Sequence, residues 1–245
     1  MTRGDDDCAV DVATLPPAAP SGAAADLKAW NAALNETHAM ATLRDEGGVV
    51  VRHLEARRRR LIVDTLRALA PRRLIDVGCE DGWLAESYAA FVPEVVLSDI
   101  DGAVLAKSRA AQQPGVRVIE ADATQPAALV EHLGAGWADV VLLSALLEHL
   151  PDPHGALRAL RSLLVPGGDV VVYLPADRPI LLLKRILKAT HLGGLVGGLS
   201  LEPAPGHLHT FARKDVVRLL RPYGRITRLQ FDPLCLGYLA VVRIG

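Results

Sequence analysis

The chain has 245 residues, half of them hydrophobic and 22% charged, which suits one α/β domain and excludes a wholly disordered chain. Lys and Arg total 27 against 28 Asp and Glu, a net charge of −1, so no global field draws the chain to nucleic acid. Cys8, Cys79 and Cys235 have no metal-ligand spacing and cannot form a disulfide framework, so reduced intracellular thiols are expected.

Residues 1–25 carry Asp5-Asp6-Asp7 and then prolines among alanines. Few large apolar groups offset ordering entropy there, which reads as a disordered leader. The start is acidic and no apolar targeting core follows it, so a cytoplasmic location is expected. From 26 to 70 the pattern is that of a helical cover, with an apolar stripe at Leu54, Leu61, Val63, Leu66 and Leu69. Gly47-Gly48 should break it into two helices. Arg57 to Arg60 point to four sides of a helix and are expected to be solvated.

After Pro71, short apolar runs alternate with helix-length segments. The runs are 73–77, 94–98, 116–120, 138–143 and 169–174, with helices expected at 82–91, 101–112, 125–133 and 153–164. Such alternation predicts a parallel sheet covered on both faces. Segments 225–231 and 237–244 are separated by a short turn and predict a closing antiparallel hairpin. The segment 177–209 reads as an apolar cap. Pro179 falls in the first turn of a helix that Asp177 can cap, and Ile180, Leu183, Ile186 and Leu187 form its stripe. Lys184, Arg185, Lys188 and His191 interrupt the stretch, so a spanning helix is not expected. A helix packed on the domain is the expected role, with a mobile lid over a hydrophobic substrate, or weak contact with an anionic membrane, as the sharper alternative.

The first strand runs into Asp76-Val77-Gly78-Cys79-Glu80-Asp81-Gly82. A strand, a glycine-punctuated turn and a helix bring backbone close to a ligand at the carboxyl edge of a parallel sheet. The second strand ends at Asp99, where an acid grips ribose hydroxyls in nucleotide-binding α/β folds. Together they point to an adenosine-containing ligand. The turn lacks the G-x-G-x-x-G of dinucleotide binders. It resembles instead the first motif of class I S-adenosylmethionine-dependent methyltransferases, roughly D-x-G-x-G-x-G. The resemblance covers about residues 48–244 and continues through Val118–Ala123, Ala138–Val141, Leu147–Pro153, Leu164–Gly168 and Gly206–Phe211, the last similar to the small-molecule branch. Its one departure is Glu80, in place of the motif's middle glycine.

The resemblance implies a Rossmann-like, seven-stranded, mostly parallel sheet with helices on both faces and a C-terminal antiparallel hairpin. It places the methyltransferase domain at 71–245 and implies S-adenosylmethionine as cofactor. Asp76, Gly78, Cys79 and Gly82 would shape the turn beside the methionine part of the cofactor. Asp99 would hold the ribose, Ile100 would pack on the adenine, Asp122 and Ala123 would meet its edge, and Ser144 would open the fourth strand into the site. An acceptor hydroxyl or ammonium must lose a proton, which favours a histidine base. His207 and His209 share a face on an extended segment and are the preferred pair, with His149 next. Some relatives carry an E-x-x-E-H arrangement that binds a divalent ion. Here Glu148-His149 keep its second half while Ala145 takes the first acid's place, a poor magnesium site that His207 or His209 could complete only as a softer one, so no metal is expected. The expected acceptor is a small, partly hydrophobic metabolite methylated at oxygen or nitrogen, with a quinone or lipid-linked acceptor or a non-catalytic binding module as alternatives. Nucleic acid is not expected as a partner, because aromatics are only 4% of the chain and charge is balanced.

Overall fold

The computed structural model describes residues 28–30, 48–190, 206–234 and 236–245. The leader, Cys235 and the glycine pairs of 193–198 lie outside them. Helix α1 (Val49–Leu69) starts after Gly48 and ends at Ala70, which turns left-handed at φ 48° while its N–H donates to Leu66. It buries Leu61, Ile62 and Leu66, each worth about 2 kcal/mol in transfer free energy. Strands β1 (Arg73–Val77), β2 (Glu94–Asp99), β3 (Val116–Glu120), β4 (Ala138–Ser144), β5 (Leu164–Pro175), β6 (Arg225–Asp232) and β7 (Gly237–Arg243) form one sheet in the order 3-2-1-4-5-7-6. The first five are parallel, and β7 runs antiparallel between β5 and β6. This is the mixed sheet with a closing hairpin that the pattern predicts. Strand order reverses between β1 and β4, which opens a crevice at their carboxyl ends.

The two-residue period of the strands divides the core. Ile75, Val77, Val141 and Leu143 face helices α4 (Ala127–Leu133), α5 (Pro153–Leu160) and α7 (Arg213–Leu220). Leu74, Val140, Leu142 and Val171 face α1, α2 (Ala85–Tyr88) and α3 (Gly102–Leu105). Helix α6 (Asp177–Ala189) follows β5 and exposes Leu182 and Ile186. The side chains of Asp177, Leu183 and Leu187 lie outside the described residues, so the expected cap and stripe are seen only in part. No helix among the described residues is long and apolar enough to cross a membrane.

The arginine run departs from expectation. Arg57 pairs with buried Asp232 at 2.7 Å, and Arg58 pairs with Glu55 at 2.6 Å. Arg59 lies over the Trp83 ring, 5.1 Å from its centroid. Only Arg60 is exposed. The reason is that α1 lies across the sheet with β6 and the first turn on its flanks, so three of its four sides meet protein.

Candidate active site

The turn after β1 is built by backbone geometry. Gly78 and Gly82 have φ of 71° and 69°, and a Cβ at Gly78 would come within 2.7 Å of a Leu146 methyl. Glu80 is also left-handed, at φ 55°, a conformation that costs a non-glycine residue roughly 1 kcal/mol. Its N–H donates to Asp99 Oδ2 at 2.9 Å, a charge-assisted bond that offsets that strain. The turn therefore keeps its shape with a side chain at the departing position. The N–H groups of Gly78 and Cys79 both donate to the Ser98 carbonyl, at 2.7 and 3.1 Å, which fixes the turn to the end of β2.

Asp99 closes β2 with its carboxylate at the crevice. Oδ1 accepts the Asp101 N–H at 3.0 Å and Oδ2 that of Glu80. Burial pushes its pKa up, against those bonds. Each oxygen retains a lone pair for a hydroxyl. Asp76 lies beneath the turn, 1% exposed, with the Tyr88 phenol donating to Oδ2 and no partner on Oδ1. Burial raises its pKa to about 7. The Cys79 thiol beside them is pushed well up by burial and by the nearby Asp76 and Asp99. Asp122 Oδ1 accepts from the N–H and hydroxyl of Thr124, at 2.8 and 2.7 Å. Its Oδ2 and the Ser144 hydroxyl are buried without a hydrogen-bond partner. Ala123 is buried, and Ile100 and Leu208 pack against Trp30.

Two segments far apart in sequence are stitched together above β4. Leu208 and His209 N–H groups donate to the Glu148 carbonyl at 2.8 and 3.1 Å. His149 Nδ1 bonds to the Gly206 carbonyl at 3.0 Å, and His209 Nε2 to the Leu150 carbonyl at 2.9 Å. A carbonyl only accepts, so each of these nitrogens carries the hydrogen. His149 thus presents Nε2 as its basic nitrogen when neutral. Its ring meets that of His207 edge-on at 4.9 Å. Glu148, fully buried, offers a carboxylate oxygen within 4.8 Å of ring nitrogens of both. The structure thus pairs His207 with His149, while His209 serves as a tether beside Phe211. One carboxylate and two imidazoles do not make the oxygen-rich cage that magnesium takes, and the likeness to the metal-binding arrangement stops at Ala145.

Sequence reasoning missed Arg58. It lies 5.7 Å from the Tyr173 ring centroid, and its Nε is buried without a hydrogen-bond partner. Burial opposes its charge, but Glu55, Tyr173, Glu80 and Glu148 outweigh that and hold its pKa above the ordinary value. The signal was present: Arg58 occupies the helical stripe of Leu54, Leu61 and Ile62, where a cation needs a reason to be. Trp30, 6% exposed between Ile100 and Leu208, was missed as well.

Comparisons with known proteins agree with this geometry. The profile of the methyltransferase-domain family matches residues 51–224. The ubiquinone biosynthesis O-methyltransferase of Acinetobacter baumannii (strain AYE) is 32% identical over 177 residues, spanning 69% of this chain and 72% of that protein. That of Azotobacter vinelandii is 35% identical over 184 residues, spanning 69% and 73%. Among solved structures, the N-methyltransferase NodS from Bradyrhizobium japonicum, in complex with S-adenosyl-L-homocysteine, matches with a TM-score of 0.55 at 16% identity, over 80% of this chain and 96% of that one. The CurJ carbon methyltransferase matches with a TM-score of 0.59 at 18% identity, over 86% and 61%. At those identities the two structures show a shared fold alone.

Proposed function

Because this chain belongs to the methyltransferase-domain family and is an S-adenosylmethionine-dependent enzyme, we propose that it methylates an oxygen or nitrogen of a small, partly hydrophobic acceptor. The observation that carries the reading is the His149–His207 pair beside buried Glu148 at the mouth of β4. The cofactor supplies a methyl group already activated on a sulfonium. The protein must hold, align and deprotonate.

Buried polar atoms fit the cofactor. Asp99 would accept the ribose hydroxyls, and Asp122 Oδ2 an adenine amino hydrogen, with Ile100 and Ala123 against the ring. Arg58 would take the carboxylate of the methionine part, beside the turn formed by Asp76, Gly78, Cys79 and Gly82. Ser144 has a free hydroxyl at the strand opening into the site. The acceptor would lie against the histidine pair. His207 or His149 Nε2 takes its proton, and Glu148 stabilises the imidazolium that results. His209 shapes the segment and does not take the proton.

The relatives are named for ubiquinone biosynthesis and O-methylation, which favours an oxygen on a quinone-pathway acceptor. The exposed Leu182 and Ile186 on α6 are consistent with such an apolar substrate. Labelled methyl transfer from S-adenosylmethionine to a panel of phenols, catechols and amines tests the proposal. Transfer to at least one that falls about 100-fold in His207→Ala, with S-adenosylhomocysteine affinity unchanged, is expected. Full turnover in both His207→Ala and His149→Ala would remove the base assignment.

A further inference from the structure

Residues 28–30 are helical and precede α1, outside the stretch 51–224 that the family profile matches. Their contacts fall on both sides of the crevice. Lys28 Nζ pairs with Glu120, the last residue of β3, which lies opposite Asp99 in the sheet register. Trp30 is 6% exposed, and Ile100 and Leu208 both pack against it. Ile100 directly follows the acid assigned to the ribose. Leu208 directly follows His207, and its N–H donates to the Glu148 carbonyl at 2.8 Å. One indole therefore touches the neighbours of two groups that must meet in the reaction, on segments far apart in sequence.

A buried tryptophan has an ordinary explanation, since an indole removes a large apolar surface from water and cores use it for stability. Trp30 fits that explanation poorly. It belongs to neither of the two cores that flank the sheet and forms a cluster of its own. Its two apolar partners are half-buried residues at the carboxyl edge, where ligands of such sheets bind. The ion pair of Lys28 is half-exposed at both ends and holds little by itself, so of these contacts the ring's is the stronger. A rigid ring with two rotatable bonds, packed on both partners, passes a displacement of one to the other.

We propose that Trp30 is a positioning residue for methyl transfer: it keeps the His207 segment in register with a cofactor lying against Ile100. The inference rests on the assignments of Ile100 to the adenine and His207 to the proton. Trp30 acts through its two neighbours. Without the ring, Asp99, Asp122 and the glycine turn still hold the cofactor, and the His149 and His209 tethers still hold the histidines. What is lost is the fixed distance between the two halves. Transfer is sensitive to that distance, since a misplacement of about 1 Å can cost about 100-fold in rate. The signature of this role is a loss of kcat at nearly constant cofactor affinity.

Proton–carbon NMR of the histidine-labelled full chain, titrated with S-adenosylhomocysteine, tests this, with the His207 signal assigned by its loss in His207→Gln. S-adenosylhomocysteine should move that signal in the parent. Trp30→Ala should at least halve the movement while its calorimetric affinity for S-adenosylhomocysteine stays within about threefold of the parent's. With the panel acceptor that the parent turns over fastest, kcat should fall at least about tenfold at unchanged KM, and Trp30→Phe should restore most of it. Leu208→Ala cuts the same contact from the other side, should reduce the movement likewise, and decides the matter if Trp30→Ala does not fold. A full His207 movement in either alanine variant, or an affinity loss with kcat intact, would overturn the proposal. So would a His207 signal that bound S-adenosylhomocysteine leaves in place in the parent. Absence of S-adenosylhomocysteine binding to the parent would instead remove the cofactor assignments beneath the proposal, and the proposal with them.

Discussion

Replacing Asp76 with Asn should change the pH dependence of stability in a calculable way. In the native state the carboxyl is buried under the turn with Oδ1 unpartnered, and it titrates near pH 7 rather than at its ordinary 3.8. The unfolded chain releases that proton near pH 4. The native state therefore binds more protons between those values, and stability falls as pH rises through that window, levelling off above about pH 7. Between pH 5 and pH 7 each pH unit is worth about 1.4 kcal/mol, so the side chain costs roughly 3 kcal/mol over that interval. Asparagine keeps the shape and an acceptor for the Tyr88 phenol but cannot ionise. Urea unfolding of both proteins from pH 5 to pH 8 is the assay. Histidines titrate alike in both and cancel in the difference. The variant should gain about 3 kcal/mol on the parent between pH 5 and pH 8. A difference that stays flat to within about 0.5 kcal/mol would refute the burial argument.

Asp99→Ala should lower S-adenosylhomocysteine affinity about 100-fold by calorimetry, as expected for losing two charge-assisted bonds; unchanged affinity would end its assignment to the ribose. Arg58→Gln should weaken S-adenosylhomocysteine about tenfold while sparing 5′-methylthioadenosine, which lacks the carboxylate, and equal losses for both ligands would place Arg58 elsewhere. Gly78→Ala should cost about 1–2 kcal/mol in urea unfolding, because the positive φ and the Leu146 methyl both oppose a Cβ. Adding Leu146→Ala should recover the part due to contact, and no recovery would leave backbone strain as the whole cost.

Strand positions were legible because the runs are bounded by breakers, and β1, β2, β4 and β7 are buried on both faces along most of their length. The first four runs begin where β1, β2, β3 and β4 begin, while β5 starts at Leu164, five residues before the expected 169. Helix lengths were not legible. The stretches 82–91 and 101–112 yield only the four residues each of α2 and α3. Lys107 and Ser108 bond back three residues, to Val104 and Leu105, so the chain tightens out of the α-helix to fit above the sheet. Alanine-rich propensity carries no trace of that tertiary demand. The acids of the site were legible from their places at strand ends. The histidine pairing was not, because whether His207 faces His209 or His149 depends on backbone bonds between segments nearly sixty positions apart. Arg58 was hidden by its neighbours in the arginine run, whose alternation masked its place on the apolar stripe.

Bonds joining the His207 segment to the turn after β4 end on main-chain carbonyls, those of Glu148, Leu150 and Gly206. A carbonyl belongs to a position and not to a residue type. The spacing of the segments is thereby set without reference to the side chain at 148. The carboxylate there can be exchanged for an amide, or moved to a neighbouring position, without undoing the bonds that set the distance between the segments. Geometry and charge at this mouth are separable, so a change of acceptor chemistry needs only a change of side chains on a frame that stays in place.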